Sequence, residues 1–137
     1  MNTNAVISEQ RRRSDKQFTI LCIDDETSNL KILASIFKDH HNVIASKSAH
    51  QGLQKALDLQ PDLILLDVLM PGKDGFEICQ ILKDNSNTRH IPIIFLSGLN
   101  DLADKSKGLG LGAIDFISKP IQPSELLTAV THALQDD

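Results

Sequence analysis

Short apolar runs and longer amphipathic stretches alternate along the chain. FTILCI (18–23) is a compact apolar run closed by Asp24 and Asp25. Runs of this kind, bounded by polar turns, read as strands buried on both faces. Thr27 or Ser28 is placed to cap a helix in which Leu30, Leu33 and Phe37 recur at helical spacing, with Ile32 and Ile36 beside them. NVIAS (42–46) is a second, less apolar strand, and Ser48 opens a helix with Ala49, Leu53, Ala56 and Leu57 on one face, broken at Pro61 and Asp62. LILL (63–66), the most apolar run, ends at Asp67, and VLMPGKDG follows as a turn-rich loop. Phe76, Ile78, Cys79, Ile81 and Leu82 mark a third helix, and IPIIFL (91–96), ending at Ser97 and Gly98, a fourth strand. Pro92 near its start is tolerated there. Asn100 or Asp101 is suited to cap a polar fourth helix running to about Lys107. AIDFIS (113–118) is a fifth strand ending at Lys119-Pro120, and Pro123 and Ser124 open a last helix carrying Leu126, Leu127, Val130, Ala133 and Leu134. Strands alternating with helices predict an α/β, doubly wound parallel sheet with helices on both faces and the third strand at its centre.

Composition fits one domain: 137 residues, 41% apolar and 23% charged. The absence of Trp and Tyr, with only five Phe, argues against a stacking platform for single-stranded nucleic acid. Net charge is −4, and four of the 14 basic residues (Arg11, Arg12, Arg13, Lys16) fall in the first 16 positions with two of the 18 acidic ones. The rest of the chain is therefore the more acidic part, a poor match for nucleic acid or an anionic membrane and a better one for a cation. Cys22 and Cys79, far apart and flanked by apolar residues, read as reduced thiols of a cytoplasmic protein. Residues 1–17 are polar and aperiodic; they are expected to form a flexible extension ahead of a domain over 18–137. Their Arg run follows a weak apolar stretch, the wrong order for a secretory signal, and no run is long enough to span a membrane.

Sites in open α/β sheets form outside the carboxyl ends of the strands. Those ends carry Asp24 and Asp25, Asp67, Ser97 and Lys119. Three carboxylates crowded at adjacent strand ends repel, and a divalent cation such as Mg²⁺, which accepts one or two carboxylates plus waters and a phosphate oxygen, relieves them. A cation, an ammonium and a hydroxyl around one carboxylate suit phosphoryl transfer onto that carboxylate, here Asp67.

ILCIDDE (20–26), DLILLDVLMPGKDG (62–75), IPIIFLSG (91–98) and GAIDFISKP (112–120) resemble, in order and spacing, the four signature segments of the response-regulator receiver domain. The resemblance covers about 18–135. It implies a flavodoxin-like fold of five parallel strands in the order 2-1-3-4-5 with five helices. It also implies a two-component signalling module that catalyses its own aspartyl phosphorylation and dephosphorylation. Asp67 would be the phosphoacceptor. Asp25 and Asp67 would ligate Mg²⁺ with the backbone carbonyl of Leu69, and Asp24 would act mainly through water. Ser97 would be the switch hydroxyl and Lys119 the partner of the phosphoryl group, its bond to Pro120 being cis. Phe116 would be the switch aromatic, turning inward as Ser97 moves and repacking the face of the fourth helix, fifth strand and fifth helix. The implied donor is a histidine kinase or a histidine phosphotransfer domain, and an output domain or a second copy is a compatible partner for that face.

This chain departs from the family pattern in places. Phe116 lacks the hydroxyl of Tyr, and Lys73 stands where an apolar residue is frequent. Leu69 and Leu99, at positions that tune hydrolysis, cannot orient a water, so a long-lived phosphoryl group is expected. A haloacid-dehalogenase-type phosphatase would need an Asp at position 69, and a flavin binder would need a hydroxyl-rich first loop. A phosphorylation-independent docking module would dispense with Asp67, Lys119 or the acid pair, and all are present. GLGLGA (108–113) follows a helix and precedes a strand, the reverse of a dinucleotide loop, and reads as a helix stop and turn. Adjacent His40 and His41 point in different directions and read as a surface helix end.

Overall fold

The structure, a computed structural model, describes residues 18–98 and 102–135. The extension read for residues 1–17, Leu99 and the capping role of Asn100 or Asp101 lie outside the described residues. The elements run β1 (Thr19–Ile23), α1 (Thr27–Phe37), β2 (Asn42–Ser46), α2 (Ala49–Leu59), β3 (Leu63–Asp67), α3 (Gly75–Asp84), β4 (Ile93–Ser97), α4 (Leu102–Gly110), β5 (Asp115–Ser118) and α5 (Pro123–Gln135). All strand pairs are parallel, in the order β2-β1-β3-β4-β5, as expected from the alternation and the resemblance.

The inner strands β1, β3 and β4 are largely apolar because both faces of the sheet are covered there, whereas the edge strand β2 is partly exposed. Leu21, Ile23, Ile64, Leu66, Ile93 and Phe95 point to one side, where Ala56 of α2 and Phe76, Ile78, Cys79 and Leu82 of α3 meet them. Ile20, Cys22, Leu63, Leu65, Ile94 and Leu96 point to the other, against Leu30, Leu33 and Phe37 of α1 and Leu126 and Val130 of α5. β3, central as predicted, is buried at all five positions. Each such Leu or Ile contributes about 1.5–3 kcal/mol of transfer free energy. The burial that stabilises the sheet also fixes where β3 ends, and so where Asp67 stands.

Local signals set the remaining boundaries. The Ser48 hydroxyl accepts from the Gln51 N–H and caps α2, and Pro123 occupies the first position of α5. α3 starts with a capping box in which Asp74 accepts from Glu77 N–H and Glu77 returns the bond to Asp74 N–H. Neither Thr27 nor Ser28 caps α1. Glu26 holds that place without a side-chain bond, and its own N–H is taken by Asp24. Leu57 and Ile81, expected on buried faces, are exposed, and Gly52 fills the inner face of α2 in place of Leu57. The fourth and fifth strands begin two residues later than their apolar runs, at Ile93 and Asp115; Pro92 has no N–H for the ladder. α4 reaches Gly110, and Gly112 then turns the chain with φ 109°, so the glycine-rich stretch is a helix stop as read. His40 is exposed, but His41 packs between the rings of Phe18 and Phe37 and is half-buried. Cys22 and Cys79 are buried free thiols; burial pushes them up to about 12 and about 11, so they stay protonated. Among the described residues no helix is long and apolar enough to cross a membrane.

Candidate functional site

β1 and β3 are neighbours in register, with Ile23 beside Leu66, so the residues that follow them emerge together at one sheet edge. This places Asp24, Asp25 and Asp67 with a carboxylate oxygen of each within 4.8 Å of the others. Asp24 and Asp67 are 2% and 5% exposed, and Asp25 is half-buried. Lys119 reaches them from the end of β5. Its Nζ donates to Asp24 Oδ2 and to Asp67 Oδ1, each at 3.2 Å. Ser97, fully buried, ends β4 one residue beyond the partner of Asp67, and its carbonyl accepts from the Lys119 N–H at 2.8 Å. The Lys119-Pro120 bond is cis.

The two buried carboxylates are held differently. Asp24 accepts from Glu26 N–H at 2.9 Å and from Asn29 Nδ2 at 3.1 Å as well as from Lys119. These bonds compensate its burial. Among the described residues, Asp67 has the Lys119 bond to set against its loss of solvent. Burial, then the charge of Asp24, raise its pKa from 3.8 to about 6; Lys119 pulls it down and Asp25 adds a smaller push upward. For Lys119, burial works to lower the pKa, but the charges and hydrogen bonds of Asp67 and Asp24 outweigh it and raise it.

Three carboxylates and one ammonium leave an excess of negative charge in a space of a few ångströms, and the raised pKa of Asp67 reflects its burial first and the charge of Asp24 second. A hard divalent cation with oxygen ligands fits this donor set. Chemically the site combines a poorly compensated carboxylate, a fixed ammonium and oxygen ligands for a metal. These suit an attacking carboxylate and developing negative charge on a transferred group.

The loop after Asp67 is fixed by a contact absent from the reading of the sequence. Gly75 N–H donates to Val68 O at 2.7 Å, and a Cβ at Gly75 would collide with the Asp67 carbonyl and lie 2.8 Å from Val68 Cα. The signal was present as Gly75 opening a helix behind Asp74, within the box Asp74–Glu77. Asn29, which holds Asp24, carries no comparable signal, because its role depends on where the first turn of α1 folds back. The Leu69 side chain is exposed beside this loop. Phe116 of β5 is 7% exposed, its ring packed against Phe95, 5.8 Å between centroids.

Comparison with known proteins gives one consistent family. Residues 20–131 match the model of the response regulator receiver domain. The chain is 40% identical over 112 residues to the response regulator PleD of Caulobacter vibrioides, covering 81% of this chain and 25% of that protein. It is 36% identical over 118 residues to the DNA-binding dual master transcriptional regulator RpaA of Synechocystis, covering 85% and 48%. The chain thus spans between a quarter and a half of these curated relatives. Among solved structures, chemotaxis protein CheY4 of Vibrio cholerae superimposes with TM-score 0.80 at 27% identity, covering 85% of this chain and 98% of that one. The BeF3-activated N-terminal receiver domain of Klebsiella pneumoniae RstA gives TM-score 0.79 at 27% identity, covering 86% and 99%.

Proposed function

The chain belongs to the response-regulator receiver family, and from that premise we propose that it accepts a phosphoryl group on the carboxylate of Asp67 and uses it as a switch. The supporting observation is the placement of Asp67 at the end of the central strand, within ligand distance of Asp24 and Asp25 and bonded to Lys119. In transfer from a phosphohistidine, the P–N bond breaks as a P–O bond to Asp67 forms, and the leaving imidazole takes a proton from solvent. Lys119 neutralises charge on the transferred oxygens, and the Ser97 hydroxyl donates to one of them.

Asp25, Asp67 and the Leu69 carbonyl would hold Mg²⁺, with Asp24 acting through water. The metal would supply charge neutralisation where three carboxylates otherwise repel. Asp24 also orients Lys119, which it shares with Asp67. The family implies a histidine kinase as donor, directly or through a histidine phosphotransfer domain. For output, the face of α4, β5 and α5 is the proposed contact for a further domain or a second copy; it exposes Leu102 (79%), Leu109 and Ile114.

Intact-mass spectrometry after incubation with acetyl phosphate tests the reading. The parent should gain one phosphoryl group only with Mg²⁺, and Asp67→Ala should gain none. No gain in the parent, with beryllofluoride also failing to bind, would leave a receiver-fold docking module.

A further inference from the structure

Three phenylalanine rings form a ladder along one face of the sheet, from the loop after Asp67 to β5. Phe76 directly follows Gly75, which rests on the Asp67 carbonyl. Its ring meets Phe95 of β4 edge-on, with centroids 5.2 Å apart at 63°. Phe95 in turn meets Phe116 of β5 at 5.8 Å and 47°. Such pairs add stabilisation beyond the area they bury.

Two consecutive residues of α4 close over this ladder. Gly108 is buried, and its missing side chain lets the helix lie against two of the rings. A Cβ there would be 2.9 Å from Phe95 Cδ2 and 3.1 Å from Phe116 Cδ2. Lys107, exposed at its head, puts Nζ 4.6 Å from the centroid of Phe76. α4 is therefore held to β4 and β5 through a glycine and to α3 through a cation over a ring. Phe116 has no hydroxyl that would gain a hydrogen bond by turning out to solvent, so its ring loses no such bond by staying under α4.

We propose that this chain keeps the Phe116 ring inward before phosphorylation and that Lys107 is the latch holding α4 over it, through Phe76. The inward ring is then a standing feature of the fold. The variable that answers Asp67 is the seating of α4, coupled to the acceptor loop by the residue that leaves that loop. The link to Asp67 rests on the phosphoacceptor reading above; the latch between α3 and α4 does not.

The test is NMR on protein labelled in its phenylalanine rings. The chains compared are the parent, Lys107→Met, which keeps the stem and removes the charge, and Lys107→Arg. Paramagnetic relaxation by a soluble gadolinium chelate reports ring exposure. Without additives, Phe116 should be protected in the parent, and Lys107→Met should shift the Phe76 and Phe116 ring signals while Lys107→Arg leaves them near the parent. With Mg²⁺ and beryllofluoride, protection of Phe116 in the parent should not change. Lys107→Met should bind beryllofluoride about 2–5-fold more weakly, with Lys107→Arg restoring the affinity. Unmoved ring signals in Lys107→Met, equal beryllofluoride affinity, or a Phe116 ring that becomes buried only on binding would overturn the proposal. A parent that binds no beryllofluoride overturns the phosphoacceptor reading instead, and the ring measurements without additives then decide the latch.

Discussion

Replacing Asp67 with Asn removes the charge that the site holds at greatest cost while keeping nearly the same shape. Asp67 is buried beside Asp24, and its pKa rises from 3.8 to about 6. A rise of about two units corresponds to about 3 kcal/mol against the ionised form in the folded state. Lys119 loses the charge of one partner in the variant, although the Asn oxygen can still accept its bond and Asp24 stays at 3.2 Å, so part of that gain is returned. The net expectation is that Asp67→Asn is more stable than the parent by about 1–3 kcal/mol near pH 7.5 in EDTA. For a domain of this size that is about 3–10 °C in Tm. The sign follows from proton binding. Between pH 3.8 and about 6 the folded parent binds more protons at this site than the unfolded chain, so the Asp67 contribution falls as pH rises through that window. The gap between variant and parent should therefore be small near pH 4, open up to about pH 6 and stay constant above it. Other titrating groups are common to both chains and cancel. Thermal unfolding of both proteins from pH 4 to 8, with EDTA and then with Mg²⁺, makes the measurement. Mg²⁺ should raise the parent more than the variant, narrowing the gap by about 2.7 kcal/mol at a hundred times its Kd. A variant no more stable than the parent at pH 7.5 without cation, or a gap independent of pH, would refute the account of the site as uncompensated negative charge.

Lys119→Met should cost about 2–4 kcal/mol in urea unfolding and abolish acyl-phosphate formation, because it leaves Asp24 and Asp67 facing each other without their shared ammonium. Gly75→Ala should cost about 1–3 kcal/mol, since its Cβ meets backbone at Asp67 and Val68, and it should weaken beryllofluoride binding by moving the acceptor. Burial and the neighbouring His40 lower the pKa of His41, against a smaller upward pull from Asp62, and its buried Nδ1 has no hydrogen-bond partner among the described residues. Stability linked to His41 is present above its unfolded value of 6.5 and is lost as pH falls below it; His41→Phe should flatten that limb of the unfolding curve, and an unchanged limb would count against the assignment. Leu69 stands exposed beside the acceptor loop with no group to orient a water, so Leu69→Glu or Leu69→Gln should shorten the lifetime of the phosphoryl group several-fold, read as loss of the added mass with time in Mg²⁺ buffer.

What could be read from the sequence follows from which interactions are local. The parallel sheet and the meeting of Asp24, Asp25, Asp67 and Lys119 were legible because apolar runs ending in charged residues fix both the strand and its last position, while the strand order came from the family resemblance. A doubly wound sheet then brings all such ends to one edge. The α1 cap was misread because Asp24, counted as a site residue, also takes the Glu26 N–H, and no spacing rule reveals a side chain with two duties. Ile81 and Leu57 were placed inside by helical periodicity. Their exposure reflects how narrow the buried stripe of α2 and α3 is, a property of helix spacing across the sheet and not of either helix alone.

The contacts that were not legible share a physical cause: they join side chains whose meeting depends on the thickness of a packed layer. Gly75 and Gly108 read as turn or helix-end glycines, yet each is a place where backbone meets another element too closely for a methyl group. Gly108 allows α4 to rest on Phe95 and Phe116, and that approach brings Lys107 over Phe76. Helix registration therefore depends on one absent carbon atom. The same approach leaves Phe116 buried beneath α4.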